Sequence, residues 1–221
     1  MKLKSPARPG AASHAETRRQ LLEAAGEIFA GVGFRDATVR EICRRAGANV
    51  AAINYHFGDK EKLYAEVLRY AQGKALEKYP PLLGVPADAP AEKKLRAFVL
   101  SLLLRIFDKG RAAWHGKLMS REMIEPSAAL DSLVEERMRP MADQLRAIVG
   151  ETLDRPPGDE LVRLCSMSVV SQCVFYHHCR HVVSRLFPQN LPQDIAETER
   201  LADHITRFSL AAMKHLPAAK H

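Results

Sequence analysis

The 221-residue chain is predicted to be all-α. Three observations carry that expectation. Apolar residues recur at three- and four-residue spacing almost throughout. Alternating apolar runs and Asn-Gly or Asp-Gly hairpin signals are missing. Capping boxes, glycines and prolines bound the periodic segments.

A first helix carries Leu21, Leu22, Ala25, Ile28, Phe29 and Val32 on one face. Ser13 and Glu16 make a Ser-x-x-Glu capping box at its start, and Gly31 and Gly33 are expected to end it. A short second helix opens on the box Thr38 and Glu41, buries Val39, Ile42, Cys43 and Ala46, and closes on Gly47, which fits a left-handed C-cap. A third short helix covers about Asn49 to Phe57. Asp59 caps a fourth, with Leu63, Val67, Leu68 and Ala71 inward. Tyr79-Pro80-Pro81 stops it, and 81–90 reads as a loop. Further helices are expected at about 91–109, 112–124, 127–153, 159–187 and 194–216, with Pro140 kinking the third of these. The domain reading is a flexible basic arm at 1–12, a helix-turn-helix unit at 13–58 and a C-terminal helical domain at 59–221.

Composition narrows the function classes. Apolar residues make up 47%, enough for a real core, and the formal net charge of +7 suits a polyanionic partner. Met1 to Ser13 has no apolar segment of the secretory kind. The most apolar run, Ala97 to Phe107, is too short to span a bilayer. A cytoplasmic protein with no membrane partner is expected. Cys43, Cys165, Cys173 and Cys179 do not suggest a disulfide framework and read as reduced, buried thiols.

Two short helices joined by a tight Gly-containing turn form the helix-turn-helix arrangement. The second is small at its outward start, Asn49, Val50, Ala51 and Ala52, which lets it sink into a major groove. Ile53 and Phe57 face the core. Asn54, Tyr55 and His56 bring hydrogen-bond donors, and Lys60 adds a charge beside the next helix N-terminus. Spacing alone leaves a plain helical corner equally open.

The stretch from Thr38 to Leu63, with Ala46-Gly47, Tyr55-His56-Phe57 and Lys60-Glu61-Lys62-Leu63, closely resembles the TetR-family DNA-binding domain. So does the helix Arg18 to Gly33 before it. The resemblance covers about residues 14–64. It implies an N-terminal three-helix helix-turn-helix domain plus a C-terminal helical ligand-binding and dimerisation domain. It also implies a homodimer on double-stranded DNA, usually a repressor released by a small-molecule effector. By that resemblance Thr38, Tyr55, His56 and Lys60 hold phosphates, while Asn49, Val50, Ala51, Ala52 and Asn54 approach bases or backbone. The recognition helix lacks Arg and Gln, so bidentate guanine readout is not expected. Specificity then leans on Asn, on thymine methyls and on DNA shape. Arg40, Arg44 and Arg45 read first as solvated surface and second as backbone steering.

Met119-Ser-Arg-Glu-Met-Ile-Glu-Pro-Ser-Ala-Ala129, with Pro140, resembles the branch of that family typified by CecR. Helix 159–187 is apolar over much of its circumference, and 194–216 carries Leu201, Ile205, Phe208, Ala212 and Leu216 on one stripe. Together they are expected to pair with a second copy in a four-helix bundle. Phe98, Leu102, Phe107, Trp114, Met119, Met123 and Tyr176 are candidate lining for an effector pocket, though plain core is the commoner role for such residues. Arg121, Glu122, Gln172 and His177 are polar groups in that apolar setting.

Three other function classes have sequence features to set against them. Cys173, His177 and His181 recur at i, i+4 and i+8, but a third ligand two turns along a straight helix is about 12 Å away and cannot share the ion; no metal and no cofactor is expected. No nucleophile elbow, P-loop, His-Glu-x-x-His or Gly-rich dinucleotide loop appears, so an enzyme is not expected. A non-specific structural DNA binder remains the alternative that needs no effector. The sequence identifies neither the effector nor the operator, and it leaves repressor against activator open.

Overall fold

The computed structural model describes the backbone of residues 9–108 and 114–216; side chains before His14 and that of Asn190 fall outside the described set. Among the described residues every regular element is helical. They are α1 (Pro9–Asp36), α2 (Val39–Ala46), α3 (Val50–His56), α4 (Lys60–Lys78), α5 (Ala91–Phe107), α6 (Trp114–Ile124) and α7 (Ala129–Leu133). A π turn, Val134–Met138, leads into α8 (Arg139–Leu153), followed by α9 (Glu160–His178), α10 (Arg180–Leu186), the 3₁₀ turn Pro188–Asn190 and α11 (Ile195–His215).

Most boundaries fall where the caps put them, and the departures have local causes. α1 already begins at Pro9, so Ser13 and Glu16 do not mark its start; the Ser13 side chain and residues 1–8 of the expected arm lie outside the described residues. The helix runs through Gly31 and breaks at Gly33 (φ 89°, ψ 170°). Val32 keeps the inward phase but lies beyond Phe29 and Ala30, where the core ends, and is 51% exposed. The helix expected over 127–153 carries the π turn just before Pro140, whose missing N–H cannot continue the ladder. The helix expected over 159–187 stops at His178; Cys179 caps it and the chain restarts at Arg180.

Contacts divide the chain into two compact units, 1–72 with 111–133 and 73–110 with 134–221. In the first, Leu21, Leu22, Ala25 and Phe29 of α1 pack with Ile42 and Cys43 of α2, Ile53 and Phe57 at α3, and Leu63, Tyr64, Val67 and Leu68 of α4; Leu118 and Leu133 join them. Each Leu, Ile, Val or Phe among them contributes about 1.5–3 kcal/mol by burial. The α6 residues are held by polar contacts as well. Arg121 donates from Nε to the Ala30 carbonyl (3.2 Å) and from Nη2 to that of Gly31 (2.8 Å), placing a cation at the end of the long run of α1. Glu122 is buried; it accepts the Tyr64 hydroxyl at 2.6 Å and both the N–H and the hydroxyl of Ser127 at 2.8 Å.

In the second unit, Leu95, Phe98, Val99 and Leu103 of α5 pack with Leu145, Ile148 and Val149 of α8, Val162, Cys165, Val169 and Cys173 of α9, and Ala202, Ile205 and Met213 of α11. The buried Lys94 pairs with Glu151, and Arg96 with Asp203. All four cysteines are free thiols; Cys179 is the one not buried, and burial pushes the Cys173 thiol up to about 12. No helix among the described residues is long and apolar enough to cross a membrane.

Glu122 generates a stability prediction. Glu122→Ala orphans the Tyr64 hydroxyl and the Ser127 N–H and lowers the unfolding free energy by roughly 2–4 kcal/mol. Tyr64→Phe leaves the Ser127 bonds in place and costs about 1–2 kcal/mol. Urea unfolding followed by circular dichroism checks the order of the two; equal losses contradict it.

Candidate nucleic-acid interface

The corner between α2 and α3 is built by its caps. Thr38 Oγ1 accepts from the Glu41 N–H at 3.2 Å, the first half of the expected box. The other half is absent, because the Glu41 carboxylate is taken by Arg44. Gly47 sits in the left-handed region (φ 64°, ψ 29°), where a Cβ is disfavoured. The Ala48 N–H reaches back to the Cys43 carbonyl at 2.9 Å, closing the turn. Asn49 then caps α3, its Oδ1 accepting from the Ala51 N–H at 3.0 Å. Asp59 caps α4 through the Lys62 N–H at 2.7 Å.

With Ile53 and Phe57 buried, the opposite side of α3 is presented outward. Val50 is 44% and Tyr55 74% exposed, and Asn49, Ala51 and Asn54 are exposed with them; Ala52, His56 and Lys60 are partly buried. Thr38 is exposed at the start of α2, and its hydroxyl can still donate. Thr38, Asn49, Val50, Ala51, Asn54 and Tyr55 are thus all exposed at the corner. The Tyr55 and His56 rings meet edge-on, with centroids 4.9 Å apart. His14 of α1 lies against both, at 5.7 and 6.1 Å. Nothing in the local sequence pattern signals His14, since the contact is tertiary. Burial, then the charges of His14 and Arg18, lower the His56 pKa from its ordinary value, which favours the neutral ring.

Charges on the corner divide sharply. Arg44 pairs with Glu41 and Arg45 with Glu27. Arg40 is exposed and has no partner among the described residues. Lys60 donates to the Arg35 carbonyl at 3.3 Å and lies 4.7 Å from the Phe34 ring centroid. That leaves its ammonium two further N–H groups beside the α4 N-terminus. Small outward side chains, ringed by hydroxyl, imidazole and ammonium groups, match a groove flanked by phosphates.

The eleven pocket candidates are spread over both units. Trp114 and Met119 pack on the core of the first unit, with the Trp114 ring against Gly26, where it leaves no room for a Cβ. Arg121 and Glu122 have the internal partners described above, and Met123 is 43% exposed. In the second unit Phe98 is core, and Leu102 and Phe107 are partly buried against it. His177 stands edge-on to His178, and its helix ends before His181, so the Cys173, His177 and His181 spacing does not lie on one straight helix. Gln172 donates to Ser209 Oγ at 3.2 Å; with Tyr176, Ser171, Phe175, His204 and Ile205 it lines a shallow groove between α9 and α11. Leu164, Met167 and Phe175 form an exposed stripe on α9, and Phe208 is exposed on α11.

Comparison with known proteins gives a coherent answer. Residues 21–67 match the family described as bacterial regulatory proteins, tetR family, and residues 91–213 match the C-terminal domain of the HTH-type transcriptional dual regulator CecR. The chain is 29% identical over 142 residues to the HTH-type transcriptional dual regulator CecR of Shigella flexneri, spanning 61% of this chain and 63% of the relative. It is 28% identical to the HTH-type transcriptional regulator SrpR of Pseudomonas putida over 66% of this chain and 64% of that protein. These two relatives are matched over less than two thirds of their length. The HTH-type transcriptional repressor NicS of Pseudomonas putida is 26% identical over 90% of this chain and 92% of its own. A transcriptional regulator from Rhodococcus sp. Rha1 shares the fold at a TM-score of 0.65 and 20% identity, covering 90% of this chain and 99% of that one. PfmR, a TetR family transcriptional regulator from Thermus thermophilus, does so at 0.62 and 21%, covering 91% and 98%. The chain belongs to the TetR family of DNA-binding transcriptional regulators, with a C-terminal domain of the CecR type.

Proposed function

We propose that the protein is a cytoplasmic, homodimeric repressor that binds a palindromic operator and is released by a small hydrophobic or amphipathic effector. The observation that carries the DNA half of this reading is the outward side of α3, small at Val50 and Ala51 and bordered by Thr38, Tyr55, His56 and Lys60. In it, those four hold phosphates, and Asn49, Val50, Ala51, Ala52 and Asn54 approach the groove. The Asn49 carbonyl oxygen is engaged as a cap, so its amide N–H₂ is the part left for DNA. Arg40 joins the phosphate contacts, because Arg44 and Arg45 are already paired with carboxylates.

The dimer half is supported by the apolar stripe of Leu164, Met167 and Phe175 and by Phe208, which a lone subunit leaves in water. A palindrome follows from two-fold symmetry, with the paired recognition helices one DNA turn, about 34–36 Å, apart. Release requires an effector with higher affinity for a dimer whose recognition helices are wrongly spaced. By linkage, operator DNA weakens effector binding by the same factor, roughly 5- to 150-fold for a coupling of ~1–3 kcal/mol.

Lys60→Ala weakens binding to all DNA sequences alike and shrinks the slope of log affinity against log salt by about one unit. Tyr55→Phe weakens binding just as uniformly but leaves the slope unchanged, since it removes no charge. Fluorescence anisotropy titrations at several salt concentrations check both. An unchanged affinity and slope for Lys60→Ala contradict its phosphate role.

Sedimentation tests the dimer. The wild type is expected to sediment as a dimer at micromolar concentration without DNA, and Met167→Glu with Phe175→Glu as a folded monomer. A wild-type monomer, or a dimer indifferent to both charges, contradicts the α9 interface.

A further inference from the structure

Ser101, Arg105 and Asp108 follow at i, i+4 and i+7 along one side of the end of α5. The first and last hold the end of α4. Ser101 Oγ donates to the Tyr79 carbonyl at 3.0 Å, and Asp108 accepts from Lys78 Nζ at 2.8 and 3.0 Å. Arg105 lies between them. Its Nε donates to the Ser101 carbonyl at 3.2 Å, and Nη1 lies 2.9 Å from the Met141 thioether, a weak acceptor. Its Nη2 is buried without a partner. No carboxylate pairs with the guanidinium among the described residues. Residues 1–8, 109–113 and 217–221, outside that set, contain no Asp or Glu. A largely buried cation with no counter-ion is costly, and burial pushes Arg105 down to about 10.

Partly buried apolar side chains from the same stretch, Leu102, Leu104, Ile106, Phe107 and Met141, pack on this core. What completes such a place is an oxyanion carried on an apolar body. A guanidinium offers Nη1 and Nη2 as a fork, and the flexible methionine yields easily to a stronger acceptor. We propose that Arg105 is the anion-binding residue of the effector site, and that the effector is an amphipathic acid bearing a carboxylate, sulfonate or phosphate. This rests on the reading of the protein as ligand-responsive. An anion drawn to Nη2 sits within a turn of the two contacts that moor α4. α4 also carries Lys60, so binding there can bias the helix that supports the recognition corner.

The test uses the full-length protein and two fluorescent probes that differ by one sulfonate, 1-anilinonaphthalene-8-sulfonate and N-phenyl-1-naphthylamine. Wild type is expected to bind the sulfonate about tenfold or more tightly than Arg105→Met does, the size of one charge-assisted hydrogen bond, and the two proteins to bind the neutral probe alike. Arg105→Met, without probe, is expected to melt no lower than wild type, since it removes an unpaired buried charge. Equal sulfonate affinity in the two proteins overturns the assignment. Should the variant fail to fold, a wild type that binds both probes equally overturns it as well. Failure of either probe to change DNA affinity while both still bind, with the sulfonate preference intact, counts instead against the ligand-responsive reading.

Discussion

The turn at Gly47 is the constraint on which the recognition surface depends. Two short helices can meet at many angles, and the observed one presents part of α3 outward with Ile53 and Phe57 buried. The left-handed residue, the Ala48 N–H on the Cys43 carbonyl and the Asn49 cap together leave the chain a single short path. Cys43 and Ile42 fill the inner angle of the corner with Ile53, so turn and core specify the same geometry. Neither helix, at eight and seven residues, is long enough to be stable alone. Their rigidity is borrowed from α1 and α4.

Charge is distributed less simply than a net +7 suggests. Arg44 and Arg45 add little to a DNA-facing field because carboxylates neutralise them locally. These pairs are exposed and worth little to stability. Their larger effect is to leave Arg40, Lys60 and the donors around Tyr55 as the groups that face solvent without a carboxylate. The second unit shows the same division. Lys94 and Arg96 find Glu151 and Asp203, whereas Arg105 has a thioether and a carbonyl.

The N-terminal half was legible because its signals are local. Thr38, Gly47 and Asp59 act on neighbours within a few residues, and each caps the helix that its position implies; Asn49, read as the first residue of the third helix, stands instead as its N-cap. Features set by tertiary contact were not legible. Periodicity gives Val32 an inward phase but cannot tell where the core stops. The break at Cys179 has no Gly or Pro to announce it. Glu122 and Arg121 stand out in sequence as polar residues among apolar ones, but only coordinates reveal that Tyr64, Ser127 and the end of α1 satisfy them. Arg105 shows the opposite case. At i+4 from Ser101 it looks like an ordinary surface cation, and its missing partner is visible only once every neighbour is placed.

The central claim is that the outward side of α3, doubled by a two-fold axis, reads a defined DNA site. Incubating the purified protein with random duplex fragments, recovering those retained and sequencing them tests it most directly. The account predicts enrichment of a palindrome whose half-sites are centred about 10 base pairs, or a multiple of that, apart. Recovery of fragments with no shared sequence would contradict it.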